Sequence, residues 1–248
     1  MLRLGKHILP GKVAVIYSVT SLLTSISVSL WEQSFFKLEK TSYSGMVYEI
    51  HPFKENYSTL IDFVLLNPLV IYFLLKSFKG NCNVFEKTSS KPKMSPYHLV
   101  GMTILALAMT GSFMSFYYKG FLEGEYFDAI IKPITSTEVT VTYTGWVVFF
   151  WTALCMFIVL LFSFLHIPYL KFLLSLRSKD LLYIPQHEDN VGGQKLLMRP
   201  ILDYFYAAFV MLLIFILFQL YDTSDVNIDE SNRIYGFFVF VLVAGPIL

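Results

Sequence analysis

The chain has 248 residues, 55% hydrophobic, 17% aromatic and only 15% charged, with a formal net charge of +1 and a mean hydropathy of +0.58. Soluble domains carry about 25% charged residues, so this composition excludes an ordinary soluble globule and points to a membrane. The near-zero charge also argues against a nucleic-acid binder, which gathers cationic side chains on one face.

The opening stretch, MLRLGKHILPGKVAVIYSVTSLLTSISVSLW, has a basic start and a Ser/Thr-diluted apolar run. That run is longer than a secretory signal core and no small-x-small cleavage site follows, so the sequence predicts a retained first helix over 13–31. Five further apolar runs occupy 60–77, 98–118, 146–169, 201–221 and 234–248. A span of the roughly 30 Å hydrocarbon core takes about 20 helical residues. The last run reaches only ~22 Å at ~1.5 Å per residue. The expectation there is an incomplete version of a longer protein, or a last helix tilted by partners. The reading is an all-α integral membrane protein, a single transmembrane domain of about six spans. Cys82 falls in a polar stretch and Cys155 in an apolar one, so the two thiols are expected at different depths and reduced.

Lys and Arg are unevenly shared between the alternating connections. Segments 1–12, 76–97 and 170–200 hold 13 of them, and segments 32–59, 119–145 and 222–233 hold 6. The positive-inside rule then places both termini in the cytoplasm, in a multi-pass inner-membrane topology. In the outer set, TSTEVTVTYT at 135–144 alternates with the period of a half-buried strand. Asp222, Asp225, Asp229 and Glu230 make the last outer loop acidic, without the order or the glycine of an EF-hand, which favours a solvated loop. Asn56-Tyr57-Ser58 has the form of a glycosylation sequon.

Polar side chains within the spans are the first candidates for function, because each is costly in a bilayer unless paired. Asp62, Asn67, Asp203 and Gln219 are such residues. Asp62 lies near the start of its run, where a helix dipole favours a carboxylate. Pro68 removes one helical hydrogen bond and frees the carbonyl of residue 64. A kinked helix with a spare carbonyl beside an Asn is also how ion paths are lined. His166 and Pro168 close the fourth run, where a histidine commonly caps or marks the interface. Beyond them LKFLLSLRSKDLL, residues 170–182, reads as an amphipathic helix on the inner leaflet, with Lys171 and Lys179 snorkelling.

The connection LLYIPQHEDNVGGQKLLMRP, residues 181–200, carries His187, Glu188, Asp189, Gly192, Gly193, Lys195 and Arg199. On an irregular turn the acidic and imidazole groups could converge, and the Gly-Gly pair could open a nest of backbone N–H groups. Against this stands a plain Asx turn in which Asp189 caps the next helix. A zinc site lacks a second histidine at ligand spacing.

Leucines and basic residues, then Pro-x-His, an acid, Gly-Gly and a long apolar helix, together resemble a motif of uncharacterised bacterial multi-pass membrane proteins. Those carry His-Pro-Asp-x-x-Gly-Gly at a cytoplasmic helix connection. His187, Asp189, Gly192 and Gly193 match it, and Glu188 stands where the proline belongs. Gly245-Pro246-Ile247-Leu248 and Asn67-Pro68-Leu69 are similar to further stretches of that family. The resemblance implies the architecture and no established activity.

Three functions follow as expectations. The first is a membrane sensor or scaffold whose cytoplasmic 171–200 connection engages a ligand or a partner, with His187, Asp189, Gly192, Gly193 and Arg199 as its candidates. The second is a transporter or channel component using Asp62, Asn67, Asp203 and Gln219. The third, an intramembrane enzyme, is disfavoured, because neither paired mid-helix aspartates nor a Ser/His pair nor His-Glu-x-x-His is evident. No cofactor or metal is expected. The partners are the lipid bilayer and a membrane or cytoplasmic protein or a second copy, with no nucleic acid.

Overall fold

A computed structural model describes residues 7–37, 39–43, 46–50, 52–87, 96–123, 130–133, 139–175 and 195–221. Helix α1 is Pro10–Trp31. Its hydroxyls turn back on their own helix: Thr20 Oγ1 donates to the Ile16 carbonyl at 2.6 Å and Thr24 Oγ1 to the Thr20 carbonyl at 2.7 Å. This internal bonding is how a Ser/Thr-rich segment satisfies its polar groups in hydrocarbon. Ala14, Tyr17, Ser21, Ser25 and Ser29 form its buried face, and these mostly small side chains let neighbouring helices approach closely.

Strands β1 (Glu39–Tyr43) and β2 (Met46–Ile50) make an antiparallel hairpin with Glu39 opposite Ile50. Helix α2 follows in three continuous segments: Tyr57–Ile61, a π-helical turn at Asp62–Leu66, and Asn67–Lys87. Asn56 caps it, accepting from the Thr59 N–H at 3.3 Å. The π turn lies where Pro68 disrupts the ladder, and the Val64 carbonyl that Pro68 frees accepts from Ser18 Oγ of α1 at 3.4 Å. Helix α3 is Pro96–Glu123. Strands β3 (Ile131–Pro133) and β4 (Val139–Val141) form a second hairpin, so the strand period at 135–144 is realised over its middle. Helix α4 is Tyr143–Ser175 and α5 is Lys195–Tyr221.

Among the described residues, five helices are long and apolar enough to cross a membrane: Pro10–Trp31, Thr59–Glu86, Tyr97–Ser115, Tyr143–Ser175 and Lys195–Ile214. The expected sixth run, 234–248, lies outside the described residues, as does the acidic stretch 222–233. The described chain is mostly helical, as expected, and adds two short hairpins, which link α1 to α2 and α3 to α4 at one end of the bundle.

Two further corrections concern element ends. Residues 76–87 were expected in a loop, but α2 continues through them because Ser77, Phe78, Asn81, Cys82, Val84 and Phe85 are all buried against α4 and α5. Residues 170–175 were expected to start a separate surface helix. Instead α4 runs on through Pro168, since Tyr169, Phe172 and Leu173 pack on Val84, Phe85, Leu197 and Ile201. Residues 176–182 of that predicted helix lie outside the described residues.

The helices pack as an antiparallel bundle centred on α2, which touches α1, α4 and α5. Tyr17, Val70, Ile71, Leu74, Val159, Tyr204 and Met211 build the main core. At the hairpin end Glu32, at the C-terminus of α1, caps the N-terminus of α4. Its carboxylate accepts from the Tyr143 and Thr144 N–H groups at 2.8 Å each and from Thr144 Oγ1 at 2.5 Å. Thr142 Oγ1 takes the next donor, the Gly145 N–H, at 3.0 Å. The three first-turn donors that have no acceptor within the helix are thereby satisfied, and the carboxylate meets the positive end of the helix dipole. Gly145 itself is required: a Cβ there would collide with the Ile130 carbonyl and Val141.

Candidate functional site

At the other end of the bundle α2, α4 and α5 bring polar side chains together in the interior. Lys76 of α2 pairs with Asp203 of α5 at 2.8 Å, with the lysine side chain 30% exposed and the aspartate 6%. The Lys76 ammonium also lies over the Tyr72 and Phe73 rings at 5.6 and 5.8 Å. Asp203 is eight residues into α5, or about 12 Å from its start. A carboxylate at that depth needs a cation, and Lys76 supplies it.

At the next residue of α2, Ser77 Oγ donates to the Pro200 carbonyl at 2.7 Å and lies 3.3 Å from His166 Nδ1. The Asn81 carboxamide meets the same Nδ1 at 2.9 Å. The His166 ring stacks on Tyr204 at 4.5 Å and 10°. Tyr169 donates to the Leu197 carbonyl. Pro200, buried, leans on Gly80, where a Cβ would come within 2.8 Å of its Cγ. Proline removes a donor from α5, and glycine lets the backbones close over the gap.

A Ser/His pair, not evident in the sequence, therefore does form inside the bundle. Its geometry is not that of a nucleophile and its base. In that arrangement serine and orienting group engage opposite ring nitrogens. Here Ser77 and Asn81 both face Nδ1, and the Ser77 proton is directed to the Pro200 carbonyl.

The sequence-chosen residues separate into groups. Asp203 is buried at this cluster, whereas Arg199, four residues before it, is exposed. Asp62 lies in the π turn, half-buried, with Asn67 buried one residue past that turn, beside the Tyr17 hydroxyl. Asp62 and Lys76 are 14 residues apart, about 21 Å along α2. The two polar groups thus do not meet, and Val70, Ile71 and Leu74 fill the layer between them. The cavity in that layer measures about 10 Å³ and is walled by Val70, Leu74, Val159, Ala207 and Met211 beside Tyr204. A space so small and apolar stays dry. His187, Asp189, Gly192 and Gly193 lie outside the described residues, as does the side chain of Gln219.

Sequence reasoning missed Lys76, Ser77 and Asn81, and took His166 for an interface residue. The available signals were an unpaired Asp203 that required a cation at its own depth, and the i, i+4 spacing of Ser77 and Asn81.

A larger groove of about 430 Å³ opens between α1 and α4 at the hairpin end, lined by Thr24, Trp31, Tyr143, Trp146, Phe150 and Trp151. Its polar wall is internally bonded, Trp151 Nε1 donating to Thr24 Oγ1 at 2.8 Å. Tyr and Trp at that end suit the membrane–water boundary. The chain matches no protein-family description, no curated protein and no solved structure.

Proposed function

We propose that this chain is a polytopic membrane sensor or scaffold, with both termini in the cytoplasm of a bacterial cell, and that its 171–200 connection engages a partner protein or ligand. The observation that carries the reading is the closed packing of the described helices α2, α4 and α5. The polar residues of α2, α4 and α5 bond one another across the helices, and a dry apolar layer separates them from Asp62 and Asn67. A transporter needs polar groups lining a continuous wet path. The cluster lies toward the Ser175 end of α4 and the Lys195 end of α5, where the Tyr169–Leu197 hydrogen bond joins these two helices next to the connection. The likeness of residues 187–193 to a cytoplasmic His-Pro-Asp-x-x-Gly-Gly loop supports the same assignment. No step of catalysis and no cofactor enters this reading.

The test has two arms. A photo-crosslinking amino acid at Lys171 and at Arg199 should give the same discrete protein adducts in intact cells, and one at the bilayer-facing Leu105 should give none. His187→Ala and Asp189→Asn should abolish those adducts while leaving protein abundance unchanged. Reconstituted in vesicles, the chain should pass no protons or alkali cations above the protein-free rate. Flux that Asp203→Asn removes would establish the transport reading instead.

A further inference from the structure

Asn81 and His166 are 0% and 2% exposed, yet each keeps one polar atom without a hydrogen-bond partner among the described residues: the outer atom of the Asn81 carboxamide and His166 Nε2. Buried polar atoms in folded proteins are nearly always satisfied, so two on one interacting pair call for an occupant. Ser77 decides what kind. Its single proton goes to the Pro200 carbonyl at 2.7 Å, so toward His166 Nδ1, at 3.3 Å, its oxygen can only accept. Nδ1 therefore carries the ring proton. Asn81 Nδ2 is placed 2.9 Å from Nδ1, and because an NH₂ cannot accept that proton, a half-turn of the carboxamide brings its oxygen to the N–H instead. This leaves a bare lone pair on Nε2 and an unengaged NH₂ on Asn81.

A cation would satisfy only the lone pair and an anion only the amide. Nδ1 and Nε2 point to opposite sides of the ring, so the two atoms take separate occupants, and a small neutral molecule that both donates and accepts suits either one. We propose that the His166–Asn81 pair is a binding site for ordered water within the span, at the junction of α2, α4 and α5. The proposal is independent of the sensor reading, because a hydrated junction serves either a sensor or a transporter.

Hydroxyl-radical footprinting of the full chain in lipid nanodiscs tests it, because radicals generated from bound water oxidise the side chains next to it. His166 and Tyr204, 2% and 5% exposed, should be oxidised in a dose-dependent way, whereas Phe113, 2% exposed in the main core, should stay inert. In Asn81→Leu/His166→Phe, oxidation of Tyr204 should fall to the Phe113 level. His166 and Tyr204 as inert as Phe113 in the unaltered chain would overturn the proposal, whether or not the double variant folds. So would Tyr204 oxidation that survives in a folded double variant.

Discussion

Lys76 and Asp203 show how one pairing governs the character of a span. Each alone is an expensive charge in hydrocarbon, and together, at 2.8 Å, they tie α2 to α5. Removing one partner leaves the other buried and unpaired, which for fully buried pairs costs ~3–5 kcal/mol. Because the lysine keeps 30% exposure, we expect Lys76→Met or Asp203→Leu to lower stability by on the order of 2 kcal/mol. The double variant should recover most of that loss. Reversible unfolding in mixed micelles measures it, and additive losses in the double variant would show that the two side chains do not interact. Glu32 offers a second case. Glu32→Ala strips acceptors from the Tyr143 and Thr144 N–H groups and should cost on the order of 1 kcal/mol, the worth of a good helix cap. Glu32→Gln should cost less, because its carbonyl oxygen still accepts.

Helix packing follows from small residues and prolines placed opposite one another. Gly80 on α2 faces Pro200 on α5 so closely that a Cβ would come within 2.8 Å of the ring, while nothing lies within 4 Å of a Cβ built on Gly101 of α3. Gly80→Ala should therefore push α5 away and weaken Ser77–Pro200 and Lys76–Asp203 together, with a cost of about 1–3 kcal/mol typical of overpacking. Gly101→Ala should be neutral or slightly stabilising, since alanine is the better helix former. Thermal denaturation of both variants in one detergent checks the contrast, and equal melting temperatures would remove the argument for close approach. The π turn at Asp62–Leu66 works in a related way. It reconciles Pro68 with a continuous helix, and Ser18 of the neighbouring helix takes up the freed Val64 carbonyl.

For the molecule in its bilayer, the two ends differ in kind. One carries the hairpins, Glu32 and the tryptophan-lined groove, and the other carries the polar cluster and Lys171, Lys195 and Arg199. Setting Lys76 aside as a span residue leaves the sign of the Lys/Arg asymmetry intact, so the topology it implies gives a direct expectation. In a cysteine-less background, Lys54→Cys should react with an impermeant maleimide on intact cells. Lys171→Cys should react only after permeabilisation. Labelling of both from outside would contradict an odd number of spans between them.

What the sequence determined by itself was the apolar, helical character of the chain, five of its six expected runs being helices long enough to cross a membrane among the described residues. Hydropathy is a local property, and about 20 apolar residues have no other low-energy home than a helix across the bilayer. It also marked Asp203 as needing explanation and located the strand at Val139–Val141. It missed how far α2 and α4 extend, because Lys76, Lys79 and Lys171 look like loop charges until partners are known. Lys79 Nζ donates to the Ile8 carbonyl at 3.1 Å, and Lys76 pairs across 127 residues of chain. His166 likewise read as an interface residue because its hydrogen-bond partners and its stacking ring are distant in sequence, Ser77, Asn81 and Tyr204 reaching it from two other helices. Which polar groups meet is decided by helix rotation and depth, and these depend on contacts such as Gly80 against Pro200 that only the packed bundle brings about.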